Sequence, residues 1–376
     1  MVKSKKNIIG WESPIAIHPG EFLEEILEDY SITQVELSER IGLHKKVINE
    51  IINGKNPITH LTAFKLSKIF PMSFEYWINL QNSFEDDLAR IEVKEKINKE
   101  ISIFLPAFKL VYKELSDHNF LDGLRWVSGN FEHIILELQR FFAVDSLGYV
   151  QEPTLEVAFR KYNRKNLDNY NLAAWLRLGE IKAINTNTST FSEKKLKENL
   201  NKIKDLSIEN SKVYLSKVEK ILLDCGVVLA CIPYLKNTYI QGATKRISSD
   251  KYLIMLNTTK QDEGKFWFNL FHEIGHLLEH KKLESFVDIN DDGIKSKLEK
   301  EADSFAQKML IPDFKKVVEK IKSYSRLDIG IIEVSKKLNI STAILAGRIT
   351  HELNGNKDIY CLMSKFLKSK IDYTNI

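Results

Sequence analysis

The sequence predicts a multidomain, mostly α chain: a small N-terminal domain of five helices, a helical connecting region, and an α+β domain at the C-terminus. Three observations carry this. Apolar residues recur at intervals of three and four through most of the 376 positions. Residues 17–82 pack several short helix patterns between Gly, Asn and Pro stops. Two short apolar runs, VVLACIP and KYLIMLNTT, introduce strands only after residue 225. The expected domains are 1–84, 85–190 and 191–376.

Composition sets the frame. With 43% hydrophobic and 28% charged residues, the chain can bury real cores and is not a disordered one. The net charge of +4 is too small to mark a basic protein as a whole, so any anionic partner must meet a local surface. Cys225, Cys231 and Cys361 form no C-x-x-C pair, which fits a reducing compartment and argues against a cysteine zinc site. The segment MVKSKKNIIGWESP lacks the apolar core of a signal peptide, and no run reaches the length of a membrane span. A cytoplasmic location and no membrane partner are expected.

In the N-terminal domain, Pro19 and Gly20 lead into EFLEEILEDY, an amphipathic first helix. TQVELSERIG follows, with Thr33 and Glu36 in capping-box spacing and Gly42 as a stop. HKKVINEIINGK ends at Asn53-Gly54, and THLTAFKLSKIF and SFEYWINLQNSF complete the five. The second and third helices have helix-turn-helix proportions. The third would enter the major groove of double-stranded DNA, leading with His44, Lys45, Lys46 and Asn49. Lys45 and Lys46 suit phosphate or guanine, and Asn49 suits adenine or phosphate; Thr33, Gln34 and Lys55 complete the expected DNA-facing set. Residues 1–82 carry nine basic and ten acidic side chains, a net charge of −1. The charges are segregated, however: acid crowds the first helix, while Arg40, Lys45, Lys46 and Lys55 surround the third.

The stretches HPGEFL, INGK and FEYWINLQ make residues 15–82 resemble the HigA-type antitoxins of the XRE helix-turn-helix class. The resemblance implies a lambda-repressor-like fold, a homodimer, a palindromic operator and a toxin as a further partner. His44 stands where such proteins commonly have a serine cap, which is expected to weaken the helix start or change base preference.

Beyond residue 84, EDDLARIEVKEKINKEI reads as a separate, solvated helix, and NFEHIILELQRFF and NYNLAAWLRLGEI as amphipathic ones. The polar NTNTST at 185–190 reads as a loop or domain boundary. SEKKLKENLNKIKDL and NSKVYLSKVEKILLDCG are helices, then come the two strands, a helix over 264–281 and further helices from 296.

The helix over 264–281 carries FWFNLFHEIGHLLEH. His272 and His276, four apart, lie about 6 Å apart along a helix axis and roughly 40° around it, so both rings can address one metal ion. Glu273 is rotated by about 100° but can still reach a water on that ion. Two neutral imidazoles with an adjacent glutamate are what H-E-x-x-H chemistry requires: zinc on the histidines, proton removal by the glutamate. His280 is excluded as a third ligand, because it lies about 12 Å beyond His272 along the axis and Zn–N bonds are only about 2 Å; it is expected on the solvent side or at the helix end. In SKLEKEADSFAQKMLIP, Glu299 could supply the third ligand, with Asp303 one turn later able to orient a ligating histidine. Glu301 is a rival on a different face.

HEIGH, EKEADSFA and MLIP together resemble the ImmA/IrrE metallopeptidases. The resemblance implies a zincin-like C-terminal domain that cuts repressor proteins. It also implies Zn²⁺ (with Mn²⁺ as the alternative) on His272, His276 and Glu299, and Glu273 as general base. KYLIMLN would then be the edge strand that binds an extended peptide, or else an ordinary core strand. The function expected is a DNA-binding regulator whose zinc endopeptidase cleaves a regulator protein, another or its own copy. The alternative is a non-catalytic, antitoxin-like autorepressor whose second domain senses a ligand or docks a toxin.

Overall fold

The computed structural model describes residues 14–151, 167–258, 262–280, 285–289 and 297–352, with positions 364, 366 and 371 beyond them. Contacts divide the chain into two compact units, Met1–Ile103 and Phe104–Ile376.

The first unit holds α1 (Pro19–Asp29), α2 (Gln34–Ile41), α3 (Lys45–Ile52), α4 (His60–Leu66) and α5 (Phe74–Ile103). Each of the first four starts at a residue whose side chain takes up an otherwise unpaired N–H of the first turn. His18 Nδ1 accepts from Gly20 N at 2.9 Å, and Thr33 Oγ1 from Glu36 N at 3.2 Å. His44 Nδ1 accepts from Lys46 N, and Thr59 Oγ1 from Thr62 N. The imidazole of His44 therefore caps α3 in place of a hydroxyl. Gly42, at φ 58°, closes α2 in the left-handed conformation that costs glycine least. Leu23, Leu37, Ile48, Ile51, Leu66 and Trp77 meet in the core, one or two from each helix. The fifth helix departs from expectation: SFEYWINLQNSF and EDDLARIEVKEKINKEI form one helix of 30 residues. No Gly or Pro lies between them to end the first.

The second unit contains α6 (Lys109–Asp117), α7 (Phe131–Phe142), α8 (Asn169–Asn185), α9 (Glu193–Asp205) and α10 (Ser211–Asp224). Next come β1 (Val227–Ile232), β2 (Ile240–Ser248), β3 (Lys251–Asn257), α11 (Glu263–Glu279) and β4 (Ser285–Ile289). It ends with α12 (Lys297–Leu310), α13 (Phe314–Lys322), α14 (Leu327–Leu338) and α15 (Thr342–Glu352). The four-stranded sheet has the order β1-β3-β2-β4, with β1 parallel to β3 and the other pairs antiparallel. Leu229, Ile254 and Leu256 share one core with Phe266, Leu270, Phe271 and Ile274 of α11. On the opposite face α8 packs against the sheet, with Lys245 of β2 paired to Glu180 and Lys251 Nζ donating to the Ala183 carbonyl at 3.2 Å. Cover on both faces explains why β1 and β3 read as continuous apolar runs rather than alternating ones.

Two expectations change here. The polar loop after α8 is not a boundary. Its backbone is tied in by Ser189 N to Leu223 O (3.2 Å), Phe191 N to Asp250 O (2.7 Å) and Ser192 N to Cys225 O (3.0 Å). Contacts group the helices from Phe104 onward in the same unit as the sheet. In addition, KYLIMLN is an interior strand, paired with β1 on one side and β2 on the other; the outer strands are β1 and β4. The strand IQGATKRIS escaped sequence reading because glycine and charges break its apolar pattern.

Candidate functional site

Helix α11 starts at Asp262, whose carboxylate accepts from Lys265 N at 2.9 Å, and runs buried between the sheet and α12. His272 and His276 are almost fully enclosed, and their Nε2 atoms face each other at 3.0 Å. Glu299, from the first turn of α12, closes the triangle: Oε2 lies 3.2 Å from His272 Nε2, and Oε1 lies 3.4 Å from His276 Nε2. Among the described residues these three form a group able to hold one metal ion.

The donor set fits zinc. Tetrahedral bonds of about 2.0–2.1 Å place ligand atoms about 3.3 Å apart, the spacing found between these three side chains. Two imidazole nitrogens aimed at one another at 3.0 Å need a cation or a proton between them. Protonation states also favour an ion. Burial lowers the His276 pKa despite its bond to Glu299, so the ring is neutral at pH 7. Burial pushes the Glu299 carboxyl up, but hydrogen bonds to His272 and His276 outweigh it and leave its pKa well below the usual carboxylate range.

Around this triangle lie three supports. His272 Nδ1 is 3.0 Å from Asp303 Oδ1, one turn along α12 from Glu299. His276 Nδ1 is 3.2 Å from His280 Nδ1, and His280 Nε2 is 2.9 Å from Glu301 Oε2. His280 thus sits at the helix end, where its N–H bonds the His276 carbonyl. It is buried at 8% exposure rather than turned to solvent. Glu301, the rival ligand, binds His280 instead.

Glu273 points toward β2. Thr244 Oγ1 donates to its Oε2 at 2.7 Å, and the same hydroxyl lies 3.2 Å from the Glu273 carbonyl. Gly242, two residues earlier on the same strand, leaves the carboxylate room: a Cβ there would fall 2.3 Å from Glu273 Oε1 and the side chain would have to shift. Neither residue carries a sequence signal of its own; only the pairing of β2 with the sheet brings them to α11.

In the first unit, Lys45, Lys46, Asn49 and Lys55 are exposed on or just beyond α3, and Gln34 is half-buried at the start of α2. Thr33 and His44 spend a side-chain atom on capping, as above. Asn49 is engaged by a residue not singled out from sequence: Asn53 Nδ2 donates to its carbonyl at 2.7 Å and to its Oδ1 at 2.8 Å. Lys46 stands 3.7 Å from Glu50.

Comparison with known proteins agrees with this division. Residues 23–77 match the helix-turn-helix family, and residues 234–350 match the IrrE N-terminal-like domain of the M78 peptidase class. An HTH-type transcriptional regulator of Haemophilus influenzae is 33% identical over 89 residues, 23% of this chain and 81% of its own length. Antitoxin HigA-1 of Vibrio cholerae is 30% identical over 24% of this chain and 88% of its own length. The chain belongs to the HigA-like XRE helix-turn-helix family. Behind that domain it carries an IrrE-like one, a pairing the small relatives do not span. Among solved structures, the Pseudomonas aeruginosa antitoxin HigA, solved with the higBA promoter, is similar at 27% identity over 24% of this chain and 99% of that one, with a TM-score of 0.22. Among the described residues, no helix is long and apolar enough to cross a membrane.

Proposed function

We propose that this HigA-like regulator binds operator DNA through α3 as a homodimer and cleaves a protein regulator with a zinc-dependent endopeptidase centre in its second unit. The observation that carries the reading is the convergence of His272, His276 and Glu299 at 3.0–3.4 Å, with Glu273, next to His272 in the chain, buried and hydrogen-bonded to Thr244. A zinc ion held by those three residues, or manganese in its place, would supply Lewis acidity toward a water and the scissile carbonyl. Glu273 takes the proton of the attacking water and passes it to the leaving amine. Thr244 and Gly242 fix where that carboxylate stands. Asp303 holds the His272 ring in the tautomer whose Nε2 lone pair is available. An extended substrate segment adds to the sheet along β4, the outer strand next to β2. Lys45, Lys46 and Lys55 meet phosphates or guanine, Asn49 reads a base edge or a phosphate, and Thr33, Gln34 and His44 lie at the helix starts that approach the backbone.

The test is incubation of the purified full chain with zinc and with regulator proteins encoded beside it, itself included. Zinc-dependent fragments from wild type and none from Glu273→Gln support the endopeptidase. Stable zinc uptake with no fragment from any of them defeats it. The likeness to antitoxin HigA-1 favours one other reading, an autorepressor whose metal domain senses a ligand or docks a toxin; operator control unchanged by Glu273→Gln would point there.

A further inference from the structure

The metal ligands are supported unequally. His272 reaches a carboxylate directly, through Asp303. From its Nδ1, His276 reaches one through another histidine, in the sequence His276 Nδ1, His280 Nδ1, His280 Nε2, Glu301 Oε2. The geometry points to His280 as a positioning residue that, with Glu301, sets the tautomer of His276 and thereby the strength with which the centre holds its ion; this rests on the proposed metal site.

Each link constrains the next. An imidazole that gives its Nε2 lone pair to a metal carries its proton on Nδ1. His276 then donates from Nδ1, so His280 Nδ1 must accept. His280 therefore carries its own proton on Nε2, where it meets a carboxylate oxygen of Glu301, which can only accept. All the protons run one way, outward from the ion to a carboxylate that is 44% exposed. Reversing any one link would set two N–H groups, or two lone pairs, against each other.

The helix makes this possible. His276 and His280 are four apart, so their rings share a face, and α11 stops at His280, which frees that residue from helical backbone angles (φ −121°, ψ 36°). A solvated histidine would have no reason to be buried at 8% exposure between a neutral imidazole and a carboxylate. Glu301 lies two positions from Glu299 on α12, so the helix that supplies the third ligand also anchors the far end of the relay.

Outer-layer partners of this kind typically change metal affinity by about 10–100-fold. The experiment is zinc affinity of the full chain, by competition with a chromophoric chelator, together with the visible spectrum of the Co²⁺-loaded protein and urea unfolding of the metal-free protein. His280→Leu keeps bulk but offers no acceptor, and should weaken zinc about 10–100-fold and alter the Co²⁺ bands. His280→Asn places a carbonyl oxygen near the Nδ1 position and should recover most of the affinity. Glu301→Ala, at an exposed site, should lose several-fold. The inference is overturned if His280→Leu binds zinc as wild type does, or if His280→Asn is no better than His280→Leu. It is also overturned if the affinity loss is matched by loss of cooperative unfolding in the metal-free protein. Should His280→Leu fail to fold, Glu301→Ala decides alone, and wild-type affinity there overturns it. A wild-type chain that takes up no zinc would instead sink the metal-site reading itself.

Discussion

Helices α3 and α11 carry the candidate functional side chains of their respective units, and they treat polar groups in opposite ways. On α3 those groups are exposed, and their partners are neighbours on the same helix or at its end: Lys46 with Glu50, Asn49 with Asn53. On α11 they are buried, and their partners lie on other elements: Glu273 on Thr244 of β2, His272 on Asp303 and His280 on Glu301 of α12. An exposed group can be removed with little effect on folding, because water replaces its partner. A buried one leaves that partner unsatisfied. Function and stability should therefore separate on α3 and stay tied together on α11.

The largest expected effect is on chemistry. Glu273→Gln should slow zinc-dependent cleavage by about 10²–10⁴-fold while metal content, read by elemental analysis, stays at the wild-type level. Equal loss of zinc would break the separation between ligand and base. Next is Thr244→Val, which keeps shape and removes the hydroxyl from a buried carboxylate. It should destabilise the chain by about 1–3 kcal/mol in urea unfolding and also reduce cleavage; an unchanged midpoint would show that α11 is not coupled to β2 as described. Asn49→Ala is the counterpart on α3. Its operator affinity should fall about tenfold, or about 1.4 kcal/mol, at fixed salt, with unfolding unchanged within about 0.5 kcal/mol. The smallest effect is at Thr33, whose hydroxyl caps α2. Thr33→Ala should cost about 1 kcal/mol of stability, and a drop in operator binding beyond that would assign the residue a DNA contact as well.

The same contrast explains what could be read from the sequence. Glu299, on α12, is picked out by the family resemblance, whereas the groups on α3 and the pair His272 and His276 announce themselves by spacing along single helices, because helical geometry converts spacing directly into direction. Thr244 and Gly242 do not: they reach Glu273 only because β2 slots between β3 and β4, a pairing with no local signature. His280 stands at the helix end, one of the two places expected, but its burial could not be foreseen, for a related reason. Its distance from His272 rules it out as a ligand, but spacing on α11 says nothing of Glu301 arriving from α12. Within the 30-residue α5, the change from apolar to charged texture reads as an ending although no breaker is present. KYLIMLN can be read as an edge or as a core strand because its neighbour β2 carries no strand pattern of its own.

The candidate metal centre is also compact along the chain. Its three ligands, the base and every outer partner described lie between residues 242 and 303, and His276 and Glu299 are only 23 positions apart. Closing so short a loop costs little entropy, and each doubling would add only about 0.6 kcal/mol. During synthesis, which delivers N-terminal parts first, the whole set has been added to the chain before α13, α14 and α15 are made. Those last helices contribute apolar packing to a centre whose polar parts are already all present.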